Sequence, residues 1–168
     1  MAETRHTIYT AEAHVTGGRA EGHGRTSDGA LEVDLRVPEE MGGDGGGTNP
    51  EQLFAVGYAA CFESALGTVA RRRRQNAGDV AIDSQVMLLP TAGRRFKLAV
   101  TLAVTLPSIA YADEAANLVR EADQLCPYSN AIRGNVDVSF TANGDPLEET
   151  SEHQAALARA GSGPAAAA

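Results

Sequence analysis

NPEQLFAVGYAACFESALGTVA, from Asn49 to Ala70, carries the longest helical pattern in the chain. Leu53, Phe54, Val56, Tyr58, Ala60, Cys61, Phe62, Ala65, Leu66 and Val69 make it apolar around most of its circumference, as expected of a central, buried helix. Two readings of its start differ by one residue. Thr48 with Glu51 fits a capping box, whereas Asn49 as the cap places Pro50 at the first helical position. At the far end RRRR (Arg71–Arg74) supplies cations where the helix dipole is negative, and it reads as a solvated helix terminus.

Outward from this helix the pattern changes period. Leu31, Val33, Leu35 and Val37 alternate strictly with charged residues, and TIYTAEAHV (Thr7–Val15) alternates less regularly; both predict half-buried strands. The segment between them is dense in turn formers, with a short strand expected before the SDG turn at Ser27–Gly29. PEEMGGDGGGTNP reads as a mobile loop, because a phosphate cradle would need Lys followed by Ser or Thr where Thr48-Asn49 stands. VAIDSQVMLL and RRFKLAVTLAVTL predict two longer strands around a PTAG turn. YADEAANLVREADQLC returns to helical spacing until Pro127 stops or bends it, and NVDVSF is a last strand. This order gives an α+β domain over 1–144, with helices against an antiparallel sheet. A low-complexity tail is expected over 145–168.

With 168 residues, 43% of them hydrophobic and 21% charged, the chain is long enough for one domain with a substantial core. Its net charge of −8 disfavours nucleic acid or an anionic membrane as the main partner. No stretch is read as approaching the roughly 18 apolar residues of a membrane span, and the first ten residues lack the apolar core of a secretory signal, so the expected compartment is the cytoplasm.

Cysteine is scarce. Cys61 and Cys126 are too few for a disulfide framework and too far apart for a C-x-x-C motif. His6, His14, His23 and His153 are scattered, so no metal or other cofactor is expected. A cysteine on an apolar helix is ordinarily a small core hydrophobe.

Two cysteine-bearing motifs argue otherwise when taken together. TNPEQLFAVGYAACF and LCPYSNAIRGNVDV, with YTAEAHVTGGR and SDGALEVDL before them, resemble the organic hydroperoxide resistance branch of the OsmC/Ohr family, over most of the chain up to about Phe140. The resemblance implies antiparallel sheets packed on two central helices in an intertwined homodimer. It also implies a thiol peroxidase without metal or haem that reduces organic hydroperoxides, its disulfide in turn reduced by a lipoyl-bearing protein or dihydrolipoamide. By motif, Cys61 is the peroxidatic cysteine, Cys126 the resolving one, and Arg19 and Glu51 the polar partners of Cys61.

The residue chemistry is compatible with those roles. A thiolate attacks peroxide oxygen and needs its charge stabilised; a guanidinium stays protonated and can do this, and a carboxylate can hold the guanidinium through a bidentate pair. Leu53, Phe54 and Phe62 are candidates to line an apolar approach for substrate. GGRAEGHGRTSDG runs longer than the family's usual segment and places Arg25 near Arg19; Arg19 is preferred because it sits in TGGR. Glu51 and Cys61 are ten positions apart, about 15 Å along a straight helix. Either the helix breaks or Glu51 serves a cysteine on another subunit. The alternatives in other classes are a non-catalytic redox sensor or binding protein on the same scaffold, and a sibling OsmC-type peroxidase with a different peroxide preference.

Overall fold

In a computed structural model that describes residues 6–93 and 95–147, the chain forms two units, Met1–Leu53 and Phe54–Ala168. Most of the expected tail, from residue 148 on, lies outside the described residues.

The first unit holds a three-stranded antiparallel sheet, β1 (Ala13–Thr16), β2 (Glu21–Thr26) and β3 (Glu32–Arg36), paired in chain order. β2 is the short strand expected before the SDG turn. That turn is tied by Asp28, whose Oδ1 accepts from the Thr26 hydroxyl at 2.6 Å and the Ala30 N–H at 3.0 Å, with Gly29 at φ 71°. The strand expected from Thr7 begins only at Ala13. Its partner β2 ends at Thr26, the pairing fades with one further bond from the Ser27 N–H to the Glu12 carbonyl at 2.9 Å, and Ile8 and Tyr9 stay 95% and 77% exposed.

The glycine-rich segment after β3 is not the free loop expected. It makes a 3-10 turn at Glu39–Met41 and returns to bridge Thr48 with Leu35. The Thr48 N–H donates to the Asp34 carbonyl and the Arg36 N–H to the Thr48 carbonyl, both at 2.9 Å. These bonds dock the segment on the sheet just before the long helix starts.

That helix, α1, is unbroken over Pro50–Arg73. Asn49 caps it, its Oδ1 accepting the Gln52 N–H at 2.9 Å, and Pro50 takes the first position. The Thr48 hydroxyl turns instead to Gln52 Oε1 at 2.9 Å. The helix ends in a Schellman arrangement: Arg74 adopts φ 57°, the Gln75 N–H reaches the Ala70 carbonyl and the Arg74 N–H the Arg71 carbonyl. Within the arginine run, Arg73 pairs with Glu121.

By length and composition α1 is apolar enough to cross a membrane, with a mean hydropathy of 1.4 over its most apolar window. This corrects the expectation that no stretch comes close, because interspersed Ala raises the mean hydropathy without forming a solid block of large apolar side chains. The expected burial around the whole circumference is not met within one chain either. Tyr58, Phe62, Ala65, Leu66, Val69 and Ala70 form one buried stripe, while Val56 remains 72% exposed.

The second unit is built on that stripe. β4 (Ala81–Thr91) and β5 (Arg95–Thr105) form the expected long antiparallel hairpin. β6 (Asp137–Ala142) then joins β5 in parallel, and β7 (Asp145–Pro146) closes the sheet antiparallel to β6. The parallel pair follows from the connection: the chain crosses back through the helices α2 (Ala112–Leu125) and α3 (Pro127–Ile132) before re-entering the sheet. The sheet runs on to Leu147, whose N–H donates to the Phe140 carbonyl at 2.9 Å, past the expected boundary at 144. Val100, Leu102 and Val104 from β5 and Ala115, Leu118, Val119 and Ala122 from α2 complete the core with the α1 stripe. Each large side chain buried there contributes about 1.5–3 kcal/mol.

Because Asn49 supplies the cap, Asn49→Ala should lower stability by about 1 kcal/mol. Thr48→Ala should cost less than about 0.5 kcal/mol. Urea unfolding followed by circular dichroism checks this, and equal losses would return the cap to Thr48.

Candidate active site

Four residues were expected to act together, and the structure arranges them as two pairs. In the first unit Arg19 Nη2 lies 2.6 Å from Glu51 Oε1, with side-chain exposures of 35% and 16%. Arg19 Nη1 also approaches Met41 Sδ at 3.9 Å. The loop between β1 and β2 that carries Arg19 depends on glycine. Gly17 and Gly18 have φ of 70° and 61°, and a Cβ at Gly22 would fall 1.9 Å from the Gly18 carbonyl oxygen. No other residue permits that fold-back. Glu51 therefore both sits in the acidic first turn of α1 and anchors a guanidinium, which a capping box alone would not require.

Arg25, the competing candidate, lies on β2 in register with His14 and Glu32. It lines an open groove of about 540 Å³ in the first unit, together with His14, His23 and Glu32. His23 in that groove is bracketed by Asp34 at 3.1 Å and Glu32 at 3.2 Å, and the hydrogen bond to Asp34 raises its pKa. Neither Arg19 nor Glu51 lines this groove.

In the second unit the cysteines meet. Cys61, in the middle of α1, and Cys126, at the corner between α2 and α3, have their sulfurs 3.5 Å apart without a bond. Cys126 is fully buried, while Cys61 keeps some exposure. Pro127 creates the corner as expected. α2 ends at Leu125, Cys126 is extended at φ −64° and ψ 122°, and Pro127 opens the next helix. Arg133 staples the bend, donating to Asp123 Oδ2 at 2.6 Å, to the Asp123 carbonyl at 2.8 Å and to Asn130 Oδ1 at 3.1 Å. Burial pushes the Cys61 thiol pKa up. A hydrogen bond from the Tyr128 backbone opposes this, and Cys126 adds to the rise. Within its own unit Cys61 thus rests as a thiol, and a nucleophilic role needs positive charge brought to it.

The expected apolar lining divides. Phe54 is half-buried and stacks on Tyr128, ring centroids 6.1 Å apart at 19°. Leu53 is half-buried in the first unit. Phe62 is fully buried, packed on Phe140 at 5.3 Å and edge-on to Tyr58. It is a core residue with no surface for a ligand, because it lies four positions after Tyr58 on the inward stripe. Sequence reasoning assigned nothing to Tyr128, which is 41% exposed, or to Tyr58 and Ser129, whose buried hydroxyls share a 2.8 Å hydrogen bond. A signal existed, since Tyr128 and Ser129 lie inside the CPYSN motif. Among the described residues no three His, Cys, Asp or Glu side chains gather as a metal-holding group.

Residues 43–141 match the family described as OsmC-like protein. The organic hydroperoxide resistance protein of Xanthomonas axonopodis pv. citri (strain 306) is 49% identical over 143 residues, which cover 84% of this chain and 99% of that protein. A solved organic hydroperoxide resistance protein from Legionella pneumophila superposes with a TM-score of 0.76 at 50% identity, over 80% of this chain and 97% of that one. OhrB of Bacillus subtilis, also an organic hydroperoxide resistance protein, gives 0.72 at 43%, over 80% and 98%.

Proposed function

The chain belongs to the OsmC-like family, in its organic hydroperoxide resistance branch, and we propose that it is a cysteine-based peroxidase that reduces organic hydroperoxides to alcohols. The observation that carries this reading is the 3.5 Å separation of Cys61 and Cys126. A disulfide requires about 2.05 Å, so the sulfurs are near enough to bond after a small side-chain movement and are unbonded at rest. A cysteine pair that cycles between thiol and disulfide suits a reducing compartment, and we assign the protein to the cytoplasm.

In the proposed cycle the Cys61 thiolate attacks the outer oxygen of a hydroperoxide. The O–O bond breaks, the alkoxide leaves as the alcohol after taking a proton, and Cys61 becomes a sulfenic acid, oxidised by two electrons. The Cys126 sulfur then attacks Cys61, the S–O bond breaks, and water departs as the S–S bond forms. A dithiol, a lipoyl-bearing protein or dihydrolipoamide, exchanges with the disulfide and returns both thiols. No metal or haem takes part.

Burial works against the first step, because it holds Cys61 protonated. We assign the activating charge to Arg19, oriented by Glu51. α1 is continuous, so its rise separates Glu51 from Cys61 by about 15 Å along the axis. We infer that the guanidinium facing Cys61 comes from a partner subunit, so that the working unit is a homodimer with two composite sites. Phe54 and Tyr128 offer apolar surface to the alkyl group, which favours bulky organic hydroperoxides over hydrogen peroxide.

Brief exposure to cumene hydroperoxide should cost the wild type two hydrogens by intact mass and leave Cys61→Ser unchanged. With a dithiol present the wild type should consume many equivalents of peroxide, where a sensor would stop after one. A wild type that keeps both thiols under excess peroxide refutes the reading. Arg19→Met should slow Cys61 oxidation at neutral pH, with the rate rising about tenfold per pH unit as the thiol titrates; a rate independent of pH would remove Arg19 from the role. Co-expressed Arg19→Met and Cys61→Ser chains, each inactive alone, should recover about a quarter of wild-type activity through mixed dimers. No recovery would place the site within one chain.

A further inference from the structure

Tyr58 is fully buried, and its hydroxyl meets that of Ser129, 2% exposed, at 2.8 Å. Phenylalanine would fill the same space without a polar atom to satisfy, so the tyrosine here carries a desolvation cost that a purely apolar core would avoid. Position explains why that cost is borne. Tyr58 lies three residues before Cys61 on α1, and Ser129 three residues after Cys126 at the start of α3. Residues three apart on a helix lie on the same side. The oxygen pair and the sulfur pair are thus two rungs between α1 and the corner that leads into α3, with Cys126 the extended cap residue before that helix, and lengths of 2.8 Å and 3.5 Å.

From this geometry we propose that the Tyr58–Ser129 hydrogen bond is a positioning clamp that holds Cys126 in register with Cys61, and so decides whether an oxidised Cys61 is captured or oxidised again. The inference rests on the peroxidase reading above. Burial raises the Tyr58 pKa, so the phenol stays neutral and the bond persists across the working pH range. The Arg133–Asp123 pair and the Asn130 side chain, which donates to the Gln124 carbonyl at 3.2 Å, stiffen the corner itself. They do not tie it to α1; the hydroxyl pair does, beside the Tyr128 backbone hydrogen bond to Cys61 and the Phe54–Tyr128 stack.

The clamp matters because two reactions compete for the Cys61 sulfenic acid. In capture, Cys126 sulfur displaces hydroxide, which leaves as water with the Cys126 proton, and the disulfide forms. In the alternative a second hydroperoxide molecule transfers its oxygen to the sulfenate, releasing a second alcohol and leaving a sulfinic acid that a dithiol does not reduce. Capture needs sulfur on sulfur in line, and a misplacement of a fraction of an ångström slows it. Oxidation by a second hydroperoxide has no such requirement of Cys126.

The test uses the full-length protein and cumene hydroperoxide, with products at Cys61 resolved by mass. Tyr58→Phe and Ser129→Ala should each lower the ratio of disulfide to sulfinic acid about tenfold. The first oxidation of Cys61 should keep its wild-type rate. The double variant, which leaves no orphaned hydroxyl and so guards against a folding failure of either single change, should match the single variants, because all three lose the same bond. Val69→Ala, a core truncation on α1 about two turns beyond Cys61, should lower thermal stability without moving the ratio. An unchanged ratio in the folded variants, or the same fall in Val69→Ala, overturns the clamp. A wild type with no Cys61 oxidation overturns the peroxidase reading instead.

Discussion

The 3.5 Å between the two sulfurs is the distance on which the chemistry turns, and it is set by packing. The Tyr58, Phe62, Leu66 and Val69 stripe seats α1 in a core shared with β5 and α2, and that seating brings the middle of α1 beside the end of α2. Pro127 then breaks the helix, which leaves Cys126 at a corner with extended backbone and its side chain directed at Cys61. A close-packed interior has little room to adjust, so the gap between the sulfurs is as well defined as the core around it.

Packing and reactivity pull in opposite directions at Cys61. The apolar surroundings that hold the sulfur also raise its proton affinity, whereas attack on peroxide needs the thiolate. In the proposed mechanism the compensating charge is that of Arg19, on a loop where Gly17 and Gly18, with Gly22 at the start of β2, let the backbone fold tightly enough to present it to Glu51. In that mechanism the assembly of two chains has a chemical purpose: it brings a guanidinium to a thiol whose proton affinity burial raises.

Much of the architecture was legible in residue order. The alternation of Leu31, Val33, Leu35 and Val37, the β4–β5 hairpin around its PTAG turn, the reach of α1 and the break at Pro127 all follow from local chemistry: period, turn formers and proline. The misses share a cause. Thr7–Glu12 have strand-like residues but no partner strand, the glycine-rich segment before Thr48 is held by bonds to β3, and the parallel register of β6 depends on the crossover through α2 and α3. Each is decided by which distant segment lies alongside, and local sequence does not contain that.

The same division runs through the candidate site. Sequence by itself determined which side chains can do the chemistry: two sulfurs, an arginine and a glutamate in motifs specific enough to identify a family. Only the tertiary structure decided how they are grouped. It paired Arg19 rather than Arg25 with Glu51, put Cys126 within reach of Cys61, moved Phe62 into the core and brought the Tyr58 and Ser129 hydroxyls together. Reactivity belongs to a residue's own atoms, but distance and burial belong to the packing of segments far apart in the chain, and those are fixed only when the core closes.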